Sequence, residues 1–339
     1  MEPSPIPALL ARALERRAPL LEALHAEGTD CYRLFHGVAE GFPGLTVDRY
    51  GALLLAQTFR ENLGPGEAEA LADFLRGALG ARLAFAYNHR SPKASQPFER
   101  WHRPEPEALA ELECREFGTR FLMRARHRGI DPWLFLDLRA GRRFLRGAAE
   151  GASVLNLFSY TCSAGVSAAA AGAGEVWNVD FSASSLEVGR RNAALNGITE
   201  ERFKTIEEDC LPVMRQLAGL PAGGRYTKDR RARQYEARSF DLVFLDPPAW
   251  SKGKFGAVDV AGDYAALFKP AVLAAKPGGG RVIATNHVSA VAAGSWLDAL
   301  RRCAEKAGRP LRSVQTLAPE ADFPSFDGRP PLKIAVCEV

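Results

Sequence analysis

The chain has 339 residues, 47% of them hydrophobic, and a formal net charge of +4 at pH 7. This length and apolar content allow a large buried core and favour two domains. The longest apolar run falls far short of the ~20 residues that a membrane-spanning helix needs, and no signal peptide is recognisable. The small net charge means that any interface with nucleic acid must be local.

The cysteine pattern restricts the chemistry and the compartment. The chain has six cysteines, and none of them form a C-x-x-C pair. The spacing therefore predicts neither a zinc site nor a redox pair. We expect a reduced, cytoplasmic protein with no metal and no membrane contact.

The N-terminal part of the chain is predicted to form a helix followed by a small α+β domain. Residues 1–30 carry one amphipathic helix, rich in Arg and Leu, over 8–27. Residues 31–115 alternate apolar runs with turns such as Gly41-Phe42-Pro43-Gly44. The predicted elements of this domain are strands at 32–35, 45–48, 53–59 and 83–87, a helix at 68–79 and a polar loop at 88–103.

The second predicted domain, residues 116–339, opens with a strand, a tight turn, a helix and a strand that ends on an acid. The strand covers 153–158, the helix covers 166–173, and the second strand, 175–180, ends on Asp180. This order is typical of the first half of a nucleotide-binding α/β fold, in which the acid binds ribose hydroxyls. The turn lacks G-x-G-x-x-G, which favours a cofactor with a ribose but no pyrophosphate. The alternative for Asp180 is an ordinary helix N-cap, because serines crowd the same turn.

Strands and helices alternate to the end of the chain, which predicts a doubly wound, seven-stranded Rossmann-like α/β sheet. The remaining predicted strands are 203–206, 240–245, 281–285, 313–317 and 332–339, and the remaining helices are 211–217, 264–275 and 296–307. The third strand is followed by Glu207-Glu208-Asp209-Cys210, where Asp209 is well placed to reach an adenine amino group.

The segment Asp246-Pro247-Pro248-Ala249-Trp250 directly follows the apolar strand 240–245. It places an acid, a stiff turn and an aromatic ring at the carboxyl end of the sheet, where open α/β sheets bind ligands. Trp250 could stack on a planar ring. The alternative is a strand-terminating turn with a tryptophan in the core.

Five ordered segments resemble one family. They are YRLFHGVAEGFPGLTVDRYG (32–51), WLFLDLRAGRR (133–143), VLNLFSYT (154–161), VDFSASSLEVGRRNAALNG (179–197) and LDPPAWSK (245–252). From about residue 31 onwards the chain resembles the bacterial large-subunit (23S) ribosomal RNA methyltransferases that make 5-methylcytosine or 7-methylguanine. The resemblance implies a class I S-adenosyl-L-methionine-dependent methyltransferase that acts on RNA. The family's usual N-terminal RNA-binding (PUA) domain is expected to be missing here.

The resemblance also implies the cofactor-binding residues. Asp137 and Arg139 would approach the methionine end of S-adenosylmethionine, since Arg139 suits a carboxylate. The full implied set is Asp137, Arg139, Asn156, Phe158, Ser159, Tyr160, Thr161, Asp180, Phe181, Asp209, Cys210 and Asp246. One departure is that Cys162 and Ser163 replace the two glycines that usually follow Tyr-Thr, which is expected to narrow the pocket.

The residues that would act on the target base are Asp246, Pro247, Pro248, Trp250 and Asn286. Methylation at carbon 5 of cytosine needs a cysteine thiolate, which in the family follows the fifth strand; 284–288 contains none. Thr285-Asn286-His287, together with Ser251 to Lys254, instead resembles the members that methylate guanine nitrogen 7. Direct transfer to a guanine ring nitrogen is therefore favoured, although Asn286 could be a turn residue. Cys162 and Cys210 are expected to be packing residues.

Two basic segments are candidates for contact with RNA. RYTKDRRARQYEAR (225–238) has Tyr226 and Tyr235 among its basic residues, and it could grip phosphates and stack bases or be a solvated loop. The second group comprises Arg120, Arg124, Arg126, His127 and Arg128.

Three alternative functions remain: a cytosine-5 methyltransferase, a methyltransferase acting on protein or small molecules, and an RNA-binding scaffold without catalysis. The sequence leaves the oligomeric state open.

Overall fold

The computed structural model describes residues 4–80, 82–90, 105–127, 131–223, 226, 228–229, 233–253 and 255–339. The chain divides into two compact units, Met1–Leu136 with Glu320–Arg329, and Asp137–Pro319 with Pro330–Val339. We call them the N-terminal unit and the C-terminal unit. The sequence pattern predicts the boundary between the two domains at residue 115, which lies inside a β-hairpin of the N-terminal unit. The two compact units of the structure divide later in the chain, between residues 136 and 137.

A four-stranded sheet of order β1-β2-β3-β4 organises the N-terminal unit. Its elements are α1 (Ile6–Ala26), β1 (Cys31–His36), a 3₁₀ turn (Gly37–Glu40), β2 (Leu45–Tyr50), β3 (Leu53–Thr58), α2 (Pro65–Leu79), β4 (Ala84–His89), α3 (Pro106–Leu109), β5 (Leu112–Glu116) and β6 (Thr119–Met123). Strands β3 and β4 are parallel and α2 connects them. The apolar face of α1 belongs to the same core as the sheet, so this helix is part of the unit.

The predicted strands and helices of this unit are confirmed. The differences are that Asn88 and His89, which were expected in a loop, extend β4, and that helix α3 and the hairpin β5–β6 were not predicted. Residues 91–104, which include the rest of the expected loop, lie outside the described residues.

The late segment Glu320–Arg329 belongs to the N-terminal unit through specific contacts. The buried carboxylate of Asp322 accepts a hydrogen bond from the backbone N–H of Arg33 on β1, at 2.9 Å. The Arg33 guanidinium stands 4.5 Å above the ring of Phe323. This segment therefore completes the open edge of the sheet at β1.

The C-terminal unit is built on a seven-stranded sheet of order β14-β15-β13-β10-β7-β8-β9, which confirms the predicted fold class. Its helices are α4 (Arg139–Ala148), α5 (Ser163–Ala170), α6 (Ala183–Leu195), α7 (Cys210–Leu217), α8 (Tyr264–Ala274) and α9 (Ala293–Lys306). Its strands are β7 (Ser153–Leu157), β8 (Glu175–Asp180), β9 (Phe203–Glu207), β10 (Leu242–Leu245), β11 (Trp250–Lys252), β12 (Ala257–Asp259), β13 (Arg281–Asn286), β14 (Ser313–Leu317) and β15 (Lys333–Glu338). Helices α4 and α6 and the hairpin β11–β12 were not predicted.

The strand order determines where a ligand can bind. From β7 the chain winds through β8 and β9 to one edge, and β10 then returns to the other side of β7. The four strands β7 to β10 are parallel, so their carboxyl ends share one edge of the sheet. Ligands of open α/β sheets bind at this kind of reversal, here between β7 and β10.

Candidate cofactor and base site

The turn after β7 has an unusual backbone. Phe158, Tyr160 and Cys162 have φ values of 57°, 48° and 60°, in the left-handed region. Residues other than glycine rarely adopt this region, and such strain clusters at ligand sites. Sequence reasoning located the turn but had no signal for the strain, since none of these residues is glycine.

Asp180 holds this turn in place from the end of β8. Its carboxylate accepts hydrogen bonds from the backbone N–H of Tyr160, at 2.8 Å, and of Ser182, at 2.9 Å. Burial raises the pKa of Asp180, and these hydrogen bonds act against that rise. The N-cap of α6 is Ser182, not Asp180. Phe181, the next residue, is 70% exposed at the same strand end.

The thiol of Cys162 fits beneath α6. Cys162 is fully buried, and a Cβ placed on Gly189 of α6 would lie 2.4 Å from its Sγ. Glycine at position 189 therefore provides the space that the thiol needs. The Cys162 thiol thus fills space toward α6, and the residue itself has a left-handed conformation.

Asn156 lies in a polar ladder inside the sheet. Its side-chain amide donates to the Oδ1 of Asn178 at 2.9 Å, and the Asn178 amide donates to the carbonyl of Lys204. A Cβ on Gly165 of α5 would lie 2.0 Å from the Asn178 Oδ1, so α5 passes directly over the ladder. These contacts describe a structural role for the Asn156 side chain. Its expected part in cofactor binding stays a prediction.

Asp209 and Cys210 begin α7 at the end of β9. The Asp209 carboxylate caps the helix by accepting from the Leu211 N–H at 3.0 Å, and burial raises its pKa. The Cys210 Sγ lies 3.2 Å from the Phe158 nitrogen and from the Val179 carbonyl oxygen. Cys210 therefore packs beneath the strained turn.

Helix α4 brings two buried arginines to the site. Arg139 and Arg142 are both fully buried. Buried guanidinium groups are retained where they meet acids or other hydrogen-bond acceptors. Arg142 acts electrostatically on Asp246, as does Asp137. Arg142 was missed, although its spacing of three residues from Arg139 in the DLRAGRR motif places both on one helix face.

Asp246 lies at the carboxyl end of β10, next to β13. The Thr285 hydroxyl donates to its Oδ1, and the Tyr264 hydroxyl donates to the Thr285 carbonyl at 2.7 Å. Burial raises the pKa of Asp246 to about 6, and Asp137 adds to the rise, whereas Thr285 and Arg142 lower it. Asp246 is therefore a partly buried acid that titrates near neutral pH.

The D-P-P turn leads into the hairpin β11–β12, where Trp250 pairs with Asp259. Pro247 is buried and Pro248 is partly buried, while Trp250 is 65% exposed. The alternative of a core tryptophan is therefore wrong, because the hairpin holds Trp250 at the surface.

Asn286 ends β13, one residue beyond Thr285. Its Oδ1 accepts from the Val288 N–H at 2.9 Å, as expected for a turn residue. Its side-chain nitrogen is buried with no hydrogen-bond partner among the described residues. A buried donor without a partner costs about 1–3 kcal/mol. Burial also lowers the pKa of the neighbouring His287, and Asp137 opposes that shift.

All six cysteines are free and buried. Burial raises the pKa of Cys162 and of Cys337 to about 12 and that of Cys210 well above its ordinary value. A nucleophilic cysteine requires a lowered pKa and access to its substrate. Cys162 and Cys210 therefore have the environment of packing residues.

In the described part of the basic segment 225–238, the two tyrosines are not placed as expected for stacking on bases. Tyr226 is buried, its hydroxyl donates to the Arg233 carbonyl, and its ring meets Phe255 edge-on. Tyr235 is partly buried against the core, so neither ring is displayed for stacking on bases. Residues 224–225, 227 and 230–232, like Arg128 and Lys254, lie outside the described residues.

Across the described chain we find no helix suited to crossing a membrane and no metal-binding cluster of three or more His, Cys, Asp or Glu.

The residues at this edge fit S-adenosylmethionine. The buried arginines of α4 and the partly buried Asp137 beside it suit an amino acid moiety. Asp180 ends the strand where a ribose is expected, and Phe181 offers an exposed ring. The turn at 158–162 joins these regions and contains no phosphate-binding glycine motif.

Comparison with known proteins identifies the family. A family model for S-adenosylmethionine-dependent methyltransferases matches residues 32–337. The chain is 32% identical to a ribosomal RNA large subunit methyltransferase of Deinococcus radiodurans, over 91% of this chain and 72% of that protein. It is 30% identical to a ribosomal RNA large subunit methyltransferase K/L of Allochromatium vinosum, over 85% of this chain but 38% of that protein.

Among solved structures, SMU.776, a methyltransferase candidate complexed with SAH, has a TM-score of 0.76. It is 22% identical, and the match covers 98% of this chain and 80% of that one, which supports the fold. Since the family model spans most of the chain and a relative above 30% identity is covered over most of its length, the chain belongs to the S-adenosylmethionine-dependent methyltransferases.

Proposed function

We propose that the protein methylates a guanine ring nitrogen of 23S ribosomal RNA by direct transfer, without a covalent cysteine intermediate. The observation that carries the proposal is the pair Asp246 and Asn286 at adjacent strand ends, in a protein whose cysteines are all buried. The choice of ribosomal RNA is supported by the relatives, which are named as large-subunit ribosomal RNA methyltransferases.

The proposed cofactor site is the set of twelve residues implied by the resemblance, with Arg142 added. Asp180 would bind the ribose while it also anchors the turn, and Phe181 would cover one face of the adenine. Asp137 and Arg139 would hold the amino acid end. When bound, S-adenosylmethionine supplies an electrophilic methyl group on a sulfonium.

We propose that the side chains of this site act on the target base by orienting it toward the methyl group. Above pH 6 the Asp246 carboxylate can accept hydrogen bonds from the N–H groups of guanine, and the buried nitrogen of Asn286 can donate to an acceptor such as O6. Trp250 is exposed enough to stack on the base, and the two prolines stiffen its approach. Nitrogen 7 carries no proton, so orientation can suffice without a general base.

The test is transfer of a radiolabelled methyl group to 23S ribosomal RNA from a strain that lacks this protein. The RNA is then digested to nucleosides and analysed by mass spectrometry, with Asp246→Asn as the matched inactive control. We expect label in a methylguanine. Label in 5-methylcytosine would refute both the base and the direct mechanism, and label only in protein would refute RNA as the substrate.

A further inference from the structure

Aromatic and arginine side chains alternate along one edge of the N-terminal unit. Strands β3 and β4 are parallel, so Phe59 and Arg90, which follow them, emerge at the same edge. The Arg90 backbone N–H donates to the Thr58 carbonyl at 2.7 Å, which fixes this edge. The Arg90 guanidinium lies 5.3 Å from the centre of the Phe59 ring, and Phe59 is 43% exposed.

The segment after β6 continues the series. Arg90 forms an ion pair with Asp131, whose carbonyl lies 2.6 Å from the His127 Nε2. The His127 ring is 5.4 Å from the ring of Trp133, and the Arg124 guanidinium is 5.7 Å from the same ring. Contacts therefore connect Phe59 to Arg124 without interruption.

Hydrogen bonds hold this series in place. Arg126 donates to the Asn88 side chain at 3.0 Å and to the Tyr87 carbonyl at 3.1 Å, and Asn88 donates to the Ala125 carbonyl at 2.8 Å. These contacts anchor the segment after β6 to β4. We call the group of Phe59, Arg90, Arg124, Arg126, His127 and Trp133 the aromatic–arginine band. Within the band, Arg90 pairs with Asp131 and Arg124 pairs with Glu111.

We propose that the aromatic–arginine band binds a single-stranded part of the RNA substrate. Flat rings bind bases in a sequence-tolerant way, and guanidinium groups both pair with phosphates and stack on bases. A band that alternates aromatic rings with guanidinium groups suits an RNA strand whose bases are unstacked. A duplex is less suitable, because its base faces are hidden in the stack. This inference rests on the proposed RNA substrate.

The experiment measures binding of a fluorescent single-stranded RNA oligonucleotide to the full chain over a range of salt concentrations. Base stacking on a protein aromatic contributes about 1–3 kcal/mol per base, so Phe59→Leu and Trp133→Leu should each weaken binding by at least about fivefold. They should leave the salt dependence unchanged. Arg124→Gln should weaken binding and also reduce the salt slope by about 0.7, as expected for one lost phosphate contact with a single strand.

Two variants serve as matched controls. Arg301→Gln removes an arginine of similar exposure on α9, where it pairs with Asp298 as Arg124 pairs with Glu111. Phe326→Leu removes an exposed phenylalanine of the 320–329 segment. Both should bind as the unmodified protein does. Phe59→Leu alters a half-exposed side chain, so it keeps the test valid if Trp133→Leu misfolds.

The outcomes separate this inference from the proposed function. If the unmodified protein methylates and binds RNA while the band variants match it, the band is not an RNA site and the proposed function stands. If the band variants lose affinity for single-stranded RNA and the control variants do not, the inference is supported. If the unmodified protein neither binds nor methylates RNA, both proposals fail.

Discussion

The ionisation of Asp246 can be followed through the pH dependence of methyl transfer. The proposed role needs the carboxylate, so activity should rise with pH through about 6. Thr285 stabilises the carboxylate with a hydrogen bond, and Thr285→Val should move the midpoint upward, to about 7. The measurement is kcat/KM against pH. Thr285→Ser keeps the hydroxyl and should restore the original midpoint; an unchanged midpoint in Thr285→Val would contradict this role.

The same ionisation should oppose folding. The pKa of Asp246 is higher in the folded protein, about 6, than the ~3.9 of an unfolded aspartate. The folded state therefore binds more protons between these values, and the free energy of unfolding should fall as pH rises from about 4 to about 6, by up to about 3 kcal/mol. Urea unfolding of the original protein and of Asp246→Asn measures the difference. Equal pH dependence in both would show that other groups control it.

Alanine variants of Asp246 and Asp180 should lose different properties, namely methyl transfer in the first and cofactor affinity in the second. Asp246→Ala should abolish methyl transfer but change the affinity for S-adenosylhomocysteine by less than about threefold, because Asp246, although a member of the proposed cofactor set, is assigned mainly to the base. Asp180→Ala removes the expected ribose contact and leaves two backbone N–H groups of the turn without their acceptor, so affinity should fall about tenfold or more.

Isothermal titration calorimetry measures both affinities. Glu207→Ala is the matched control, because Glu207 ends the neighbouring strand β9 opposite Asp180 and is exposed. Equal losses of affinity in the Asp246 and Asp180 variants would refute the division of roles.

At the scale of secondary-structure elements, the turn at 158–162 and helix α6 depend on each other. Gly189→Ala would place a methyl group 2.4 Å from the Cys162 Sγ, and overpacking of this kind costs about 1–3 kcal/mol. Cys162→Gly removes the thiol and suits the left-handed backbone at φ 60°. The double variant should therefore lose less stability than Gly189→Ala alone.

Denaturant unfolding of the four proteins gives the coupling free energy of this pair. A coupling near zero would mean that the helix shifts freely and that Gly189 is not retained for the thiol. A favourable coupling would show that Gly189 provides the space in which the Cys162 thiol packs.

The elements show what could be predicted from sequence. Alternating apolar runs located the strands of both sheets, and the acids at strand ends located the site. The hydrogen bond from Thr285 to Asp246 and the burial of Tyr226 depend on contacts between residues far apart in the chain, which periodicity does not report. Helix α6 was missed because its serine- and arginine-rich sequence hides the narrow buried face formed by Leu186, Gly189 and Ala193.

On the scale of the whole molecule, the chain crosses between the two units three times, because Glu320–Arg329 returns to the N-terminal unit. Asp322→Ala removes the acceptor for the Arg33 N–H on β1, and this loss should cost about 1–3 kcal/mol. Hydrogen exchange of β1 should rise accordingly.

Asp327→Ala is the matched control for that variant. Asp327 is an acid of the same segment, and its carboxylate accepts from Ser325 and Arg329 within the segment. Its replacement should leave β1 protected. If both variants changed the exchange of β1 equally, Asp322 would not be the specific anchor.

The return of Glu320–Arg329 has a consequence for the order of events on the ribosome. Strand β1 contains Arg33, but its partner Asp322 follows 289 residues later in the chain. Domains that are continuous in sequence can finish folding while synthesis continues. Here the N-terminal unit must wait with one edge incomplete until residues 137–319 of the C-terminal unit have been synthesised, so its final stability arises only after most of that unit has been made.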